Sequence, residues 1–195
     1  MSESIFKENL FEGKKVFITG GATGMGLGFA KAFLEHGADV LIASRKEENL
    51  SKAASEIKDQ TGKTLHWKIM DVRNYETVEE VAKHIKDTWG YLDVLVNNAA
   101  GNFVTPAAAM SENAWRAVID IVLDGTFRVS KACYPLLRNN KEGSSIVNII
   151  ANYAWGAAPF VAHSGAAKAG VLNLTRSLAL EWSNDKIRVN AMCPG

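Results

Sequence analysis

Six short apolar runs recur along the chain, and between them lie polar segments whose apolar residues fall three or four apart. The runs are Lys15–Thr19, Asp39–Ala43, Thr64–Met70, Leu92–Val96, a stretch built on Ile146, Val147, Ile149 and Ile150, and Ile187–Met192. Their length and β-branched content predict strands, and the spacing of the intervening segments predicts helices. Those helices are expected over Phe29–His36, ended by Gly37, then Glu47–Asp59, Glu76–Thr88 and Ser164–Trp182. A long one should also run from a Ser111 cap to about Leu137, burying Ala114, Ala117, Val118, Ile121 and Val122. A run as nearly wholly apolar as Leu92–Val96 suits a strand covered on both faces. Strand and helix alternate throughout with no linker or repeat, so residues 1–195 are predicted to form one α/β domain, a doubly wound parallel sheet with helices on both faces. In such a fold ligands bind at the carboxyl edge of the strands.

Composition narrows the class without naming a chemistry. The chain is 47% hydrophobic and 22% charged with a formal net charge of +1, so no basic excess points to nucleic acid. Charges interrupt every apolar run before it reaches membrane-spanning length, so no membrane partner is expected. The first fifteen residues lack the apolar core of a signal peptide. Cys133 and Cys193 have no metal-ligand spacing, which makes a reduced, cytoplasmic compartment the default expectation and a metal site an unexpected one. His36, His66, His84 and His163 are scattered and read as structural or surface residues.

The candidate chemistry sits at the ends of the strands. Gly20-Gly21-Ala22-Thr23-Gly24-Met25-Gly26 joins the first strand to the first helix. Glycines there let the backbone approach a phosphate, and the helix N-terminus offers N–H groups and a favourable dipole. About twenty residues on, where a carboxylate would grip the ribose of NAD, stand Ser44, Arg45 and Lys46. A guanidinium suits a 2′-phosphate, so NADP (as NADPH) is favoured over NAD. Asp71 and Arg73 close the third strand, and Asn97-Asn98-Ala99-Ala100-Gly101-Asn102-Phe103 follows the fourth. After the fifth strand come Tyr153 on a loop, then Ser164 and Lys168 one helical turn apart and therefore on one face. A phenol beside a lysine can move a proton or hold an oxyanion.

Three motifs in order, Thr19–Gly26, Asn97–Gly101 and Arg188–Gly195, make the sequence resemble the short-chain dehydrogenase/reductase family along essentially its whole length. That resemblance implies the Rossmann strand order 3-2-1-4-5-6 and a nicotinamide cofactor held by residues 20–26, Arg45, Asp71, Asn98, Lys168, Pro194 and Gly195. It also exposes departures. The family's usual tyrosine, four residues before the lysine, is Ser164 here; its usual serine falls near Ala151, and a helical asparagine near Val122. The displaced Tyr153, fifteen residues before Lys168, together with Asn102, is similar to the NADPH-dependent 2,4-dienoyl-CoA reductases of that family. There the tyrosine and asparagine bind the thioester carbonyl. The resemblance thus implies Tyr153, Asn102, Lys168 and Ser164 as catalytic residues, with Arg73, Asn102, Phe103 and Ser111 contacting an acyl-CoA substrate. It implies hydride transfer to the δ-carbon, a dienolate held by Tyr153 and Asn102, and protonation at the α-carbon to give a 3-enoyl-CoA. Alternatives at this point are another short-chain reductase acting on an enoyl thioester or a ketone, and a catalytically silent nucleotide-binding protein. Family members continue past the Pro-Gly turn, so the C-terminal part of the fold is expected to be missing, and a homodimer or homotetramer is expected.

Overall fold

A computed structural model describes residues 6–194. Its strands are β1 (Lys15–Thr19), β2 (Asp39–Ser44), β3 (His66–Ile69), β4 (Val94–Asn97), β5 (Ser144–Ile149) and β6 (Ile187–Met192). They form one parallel sheet in the order β3-β2-β1-β4-β5-β6. This is the expected doubly wound arrangement. The chain proceeds outward from β1 to β3 on one side and from β4 to β6 on the other. The reversal between β1 and β4 opens a crevice at their carboxyl ends.

Alternation along the strands explains why both faces are covered. Val16 and Ile18 of β1 face a cluster with Val40, Ile42 and Val96. Helices α1 (Gly24–Glu35) and α2 (Glu47–Thr61) pack on it through Ala30, Leu34, Leu50, Ala53 and Ile57. Phe17 points the other way, into a second cluster with Leu41, Leu95 and Ile146. That face is closed by α3 (Tyr75–Trp89), α5 (Gly125–Arg138) and α6 (Ala162–Glu181). Full burial of each such aliphatic or aromatic side chain contributes roughly 1.5–3 kcal/mol. Local signals set the ends of the elements. Asn74 caps α3 by accepting from the Glu76 N–H at 2.9 Å, and Gly90, at φ +76°, ends it.

The long helix expected from Ser111 to about Leu137 is instead two helices joined by a wider turn. Helix α4 spans Glu112–Ile119, Asp120–Asp124 form a π-helical turn, and α5 begins at Gly125. A Cβ on Gly125 would lie 2.8 Å from Val72, so the chain passes close over the residues after β3. The extra residue in that turn lets the two halves keep separate packing faces. No helix among the described residues is long and apolar enough to cross a membrane.

Candidate active site

The glycine turn after β1 lies at the crevice and is shaped by contacts that admit no side chain. Gly20 has φ +64°, and a Cβ on Gly26 would fall 2.4 Å from the Gly20 carbonyl oxygen and 2.6 Å from Asn98 Nδ2. Asn98 braces this turn from β4: its side-chain amide donates to the carbonyls of Thr19 and Gly20, both at 3.0 Å. Thr19 Oγ1 in return accepts from the N–H groups of Asn98 and Ala99 at 3.0 Å. Asn97, on the same strand end, turns into the core and ties β4 to β5 through Asn148 Oδ1 at 2.8 Å.

In front of the turn lies a cleft of about 360 Å3 lined by Gly20, Thr23, Arg45, Lys46, Asp71 and Asn98, among others. Arg45 makes no hydrogen bond or ion pair to another described residue, so its guanidinium is free to take an anion. Asp71 lies across the cleft, held by Arg73 Nε at 3.0 Å and Nη2 at 2.6 Å. These bonds from Arg73 keep the Asp71 carboxyl below the ordinary carboxylate range. Two residues assigned by resemblance to different ligands, Asp71 to the cofactor and Arg73 to the substrate, are thus partners of each other.

The second half of the site is built on β5 and α6. Tyr153 stands on the loop after β5, and Ser164 Oγ donates to its hydroxyl at 3.3 Å. Ser164 is buried in the first turn of α6 and Lys168 one turn later, also buried at 7% exposure. Lys168 Nζ donates to the carbonyl of Ile149 at 2.5 Å. Burial lowers the Lys168 ammonium to about 8. The structure therefore joins Tyr153 to Ser164, one helical turn before Lys168, whose ammonium turns to the end of β5.

The remaining predicted residues take varied positions. Asn102 is exposed, and its side chain makes no hydrogen bond to another described residue. Phe103, next to it, packs edge-to-face on His163 with ring centroids 4.5 Å apart. Ser111 caps α4, its hydroxyl accepting from the Ala114 N–H at 3.2 Å. Pro194 follows β6 at the same edge of the sheet, and Gly195 lies outside the described residues. His163, which composition placed among scattered structural histidines, is fully buried beside Ser164. Nothing in its own sequence neighbourhood marks it as near a site, because its ring partner is sixty positions away.

Comparison with known proteins then decides the family. The model of the short chain dehydrogenase family matches residues 14–195. The chain belongs to the short-chain dehydrogenases. A probable 2,4-dienoyl-CoA reductase [(2E)-enoyl-CoA-producing] of Bacillus subtilis is 46% identical over 94% of this chain and 72% of its own length. A peroxisomal 2,4-dienoyl-CoA reductase [(3E)-enoyl-CoA-producing] of Danio rerio is 40% identical over 98% of this chain and 63% of its own. A solved short chain dehydrogenase of Bacillus anthracis superposes with a TM-score of 0.87 at 46% identity, covering 93% of this chain and 76% of that one.

Short-chain dehydrogenases bind nicotinamide dinucleotides, and solved structures similar to this chain include complexes with NADP. The residues present fit such a group. The turn from Gly20 to Gly26 folds too tightly on itself and on Asn98 to admit a side chain at Gly26, and Gly20 and Thr23, at the N-terminus of α1, line the cleft where a phosphate would sit. In this oxidoreductase of the family, Ser164 stands four residues before Lys168 on α6, and Tyr153 lies on the loop after β5.

Proposed function

We propose that the protein reduces 2,4-dienoyl-CoA thioesters with NADPH to 3-enoyl-CoA products. The observation that carries this reading is the Tyr153 hydroxyl, delivered by the β5 loop and hydrogen-bonded at 3.3 Å to Ser164, which stands one helical turn before the buried Lys168. The names of the Bacillus subtilis and Danio rerio relatives support the substrate class. Arg45 would hold the 2′-phosphate that distinguishes NADPH from NADH, Asp71 the adenine end, and the turn from Gly20 to Gly26 with Asn98 the pyrophosphate region. Lys168 would hold the nicotinamide ribose, and Pro194 and Gly195 would be further cofactor-binding positions. When bound, NADPH supplies the hydride.

The chain's own residues then have one main task. Hydride arriving at the δ-carbon places a negative charge on the thioester oxygen as a dienolate. Tyr153 and Asn102 donate hydrogen bonds to that oxygen, where they act more strongly on the transition state than on the neutral substrate. Ser164 fixes the phenol's direction through their hydrogen bond. Protonated Lys168 adds positive charge to the same region. A proton from water adds at the α-carbon, leaving the double bond between carbons 3 and 4. Arg73, Phe103 and Ser111 contact the acyl-CoA. The same reading makes the protein a cytoplasmic enzyme working as a homodimer or homotetramer.

Loss of NADPH absorbance after addition of a 2,4-dienoyl-CoA, with a 2-enoyl-CoA and a simple ketone in parallel, tests the proposal. Oxidation with the dienoyl thioester alone is expected. Oxidation only with the ketone would make Tyr153 the donor of an ordinary carbonyl reductase. NADPH binding without any turnover would make the chain a silent nucleotide-binding protein.

A further inference from the structure

The two donors of the proposed oxyanion site stand on different loops, and neither loop is part of the sheet. Tyr153 has Ser164 to direct it, but Asn102 is exposed and no hydrogen bond to a described residue sets its side chain. Its position depends on what holds residues 98–105. Asn98 anchors one end of that loop to the glycine turn. At the other end the Thr105 N–H donates to the Phe160 carbonyl at 2.9 Å, which fastens it to the loop carrying Tyr153. Phe160 makes that contact from a left-handed backbone conformation, φ +64°, an unfavourable state for a non-glycine residue.

Between those anchors Phe103 packs on His163, the ring centroids 4.5 Å apart and the planes inclined at 79°. His163 is 0% exposed, yet both of its ring nitrogens lack a hydrogen-bond partner among the described residues. A buried imidazole carries at least one N–H, which makes this an unfavourable residue for plain filling. Its ring, however, is rooted in the first turn of α6 immediately before Ser164, the residue that directs Tyr153. A T-shaped contact suits an edge presented to an aromatic face, and an N–H aimed at such a face is partly compensated.

We propose that His163 is a positioning residue, which sets the Asn102 loop against the Tyr153 loop through the ring of Phe103. The proposal rests on the reading of Asn102 and Tyr153 as paired donors. In this arrangement α6 directs both of them, one through Ser164 and the other through His163 and Phe103. A shift of the Phe103 ring moves the adjoining Asn102, so the separation of the donors follows this contact. It touches neither the glycine turn nor Arg45, so NADPH binding should be insensitive to it.

The test compares His163→Ala, Phe103→Ala, the double variant and His163→Phe by hydrogen–deuterium exchange, dienoyl-CoA turnover and NADPH titration. Each alanine variant is expected to speed exchange at residues 102–105, including the Thr105 amide, without changing exchange in the strands. Each should lower kcat by about ten-fold, the double variant no further than the singles, with the NADPH Kd within about two-fold. His163→Phe, which keeps a ring, should restore protection and most of kcat. Unchanged exchange at 102–105 in both alanine variants, or independent losses that multiply in the double variant, would overturn the proposal. Phe103 is half-exposed, so its alanine variant carries the test if His163→Ala fails to fold. If the wild-type protein turns over no dienoyl-CoA, the functional reading falls, and exchange alone decides whether His163 holds the loop.

Discussion

Lys168 offers the sharpest physical prediction, because its environment is costly for the charge its role requires. The side chain is 7% exposed. Its single hydrogen-bond partner among the described residues is the Ile149 carbonyl at 2.5 Å. Burial lowers it from 10.5 to about 8. At 1.36 kcal/mol per pH unit, that gap corresponds to about 3 kcal/mol of desolvation cost carried by the cofactor-free protein at neutral pH. Between about pH 8 and 10.5 the unfolded chain keeps a proton on this lysine that the folded chain has released. The unfolded state binds more protons there, so this residue makes the folded state more stable as pH rises through that window. Replacing Lys168 by Met removes the titration while keeping much of the side-chain volume. Urea unfolding followed by tryptophan fluorescence, run near neutral pH and again near pH 10.5, gives the difference between wild type and variant at each pH. Groups that titrate alike in both proteins cancel. Wild type should gain roughly 3 kcal/mol on Lys168→Met between the two conditions. A difference that does not change with pH would refute the view that this ammonium is desolvated. Turnover should follow the opposite trend, falling above about pH 8 as the positive charge beside the thioester oxygen is lost.

Other consequences concern the cofactor and the product. Arg45→Ala should weaken NADPH binding by roughly 10- to 100-fold, the worth of lost charge-assisted bonds, and leave NADH binding unchanged in a fluorescence titration. Gly26→Ala would put a methyl group 2.4 Å from the Gly20 oxygen and 2.6 Å from Asn98 Nδ2. It should abolish NADPH binding while circular dichroism shows the sheet retained. The two named relatives differ in the product their names give, a 2-enoyl thioester in one and a 3-enoyl thioester in the other. Protonation of the dienolate at the α-carbon gives the 3-enoyl product and at the γ-carbon the 2-enoyl product. Turnover in D2O should therefore place deuterium at carbon 2, as read by proton NMR of the thioester.

The sheet was legible because its central strands are apolar enough to be buried on both faces, as at Val16 to Ile18 and Val40 to Ile42. The crevice was equally legible, since its glycines and Arg45 lie next to the strands that position them. Tyr153, Ser164 and Lys168 were legible as a group because helix spacing puts two of them on one face. The π-helical turn at Asp120–Asp124 was not, because the helical spacing of apolar residues continues across it. Nor was the pairing of Arg73 with Asp71, which depends on rotamers. The contact of Phe103 with His163 joins positions sixty residues apart, a pairing that neither periodicity nor composition records.

The central claim is that a tyrosine reaching the site from the β5 loop stabilises the developing dienolate. Its most direct test is Tyr153→Phe, which removes the donor oxygen and keeps the ring, measured by kcat with a 2,4-dienoyl-CoA and by NADPH affinity. A lost oxyanion donor should cost about 2.7–4 kcal/mol in the barrier, a fall in kcat on the order of 10²–10³-fold, with NADPH affinity unchanged. Near-normal turnover in that variant would contradict the account.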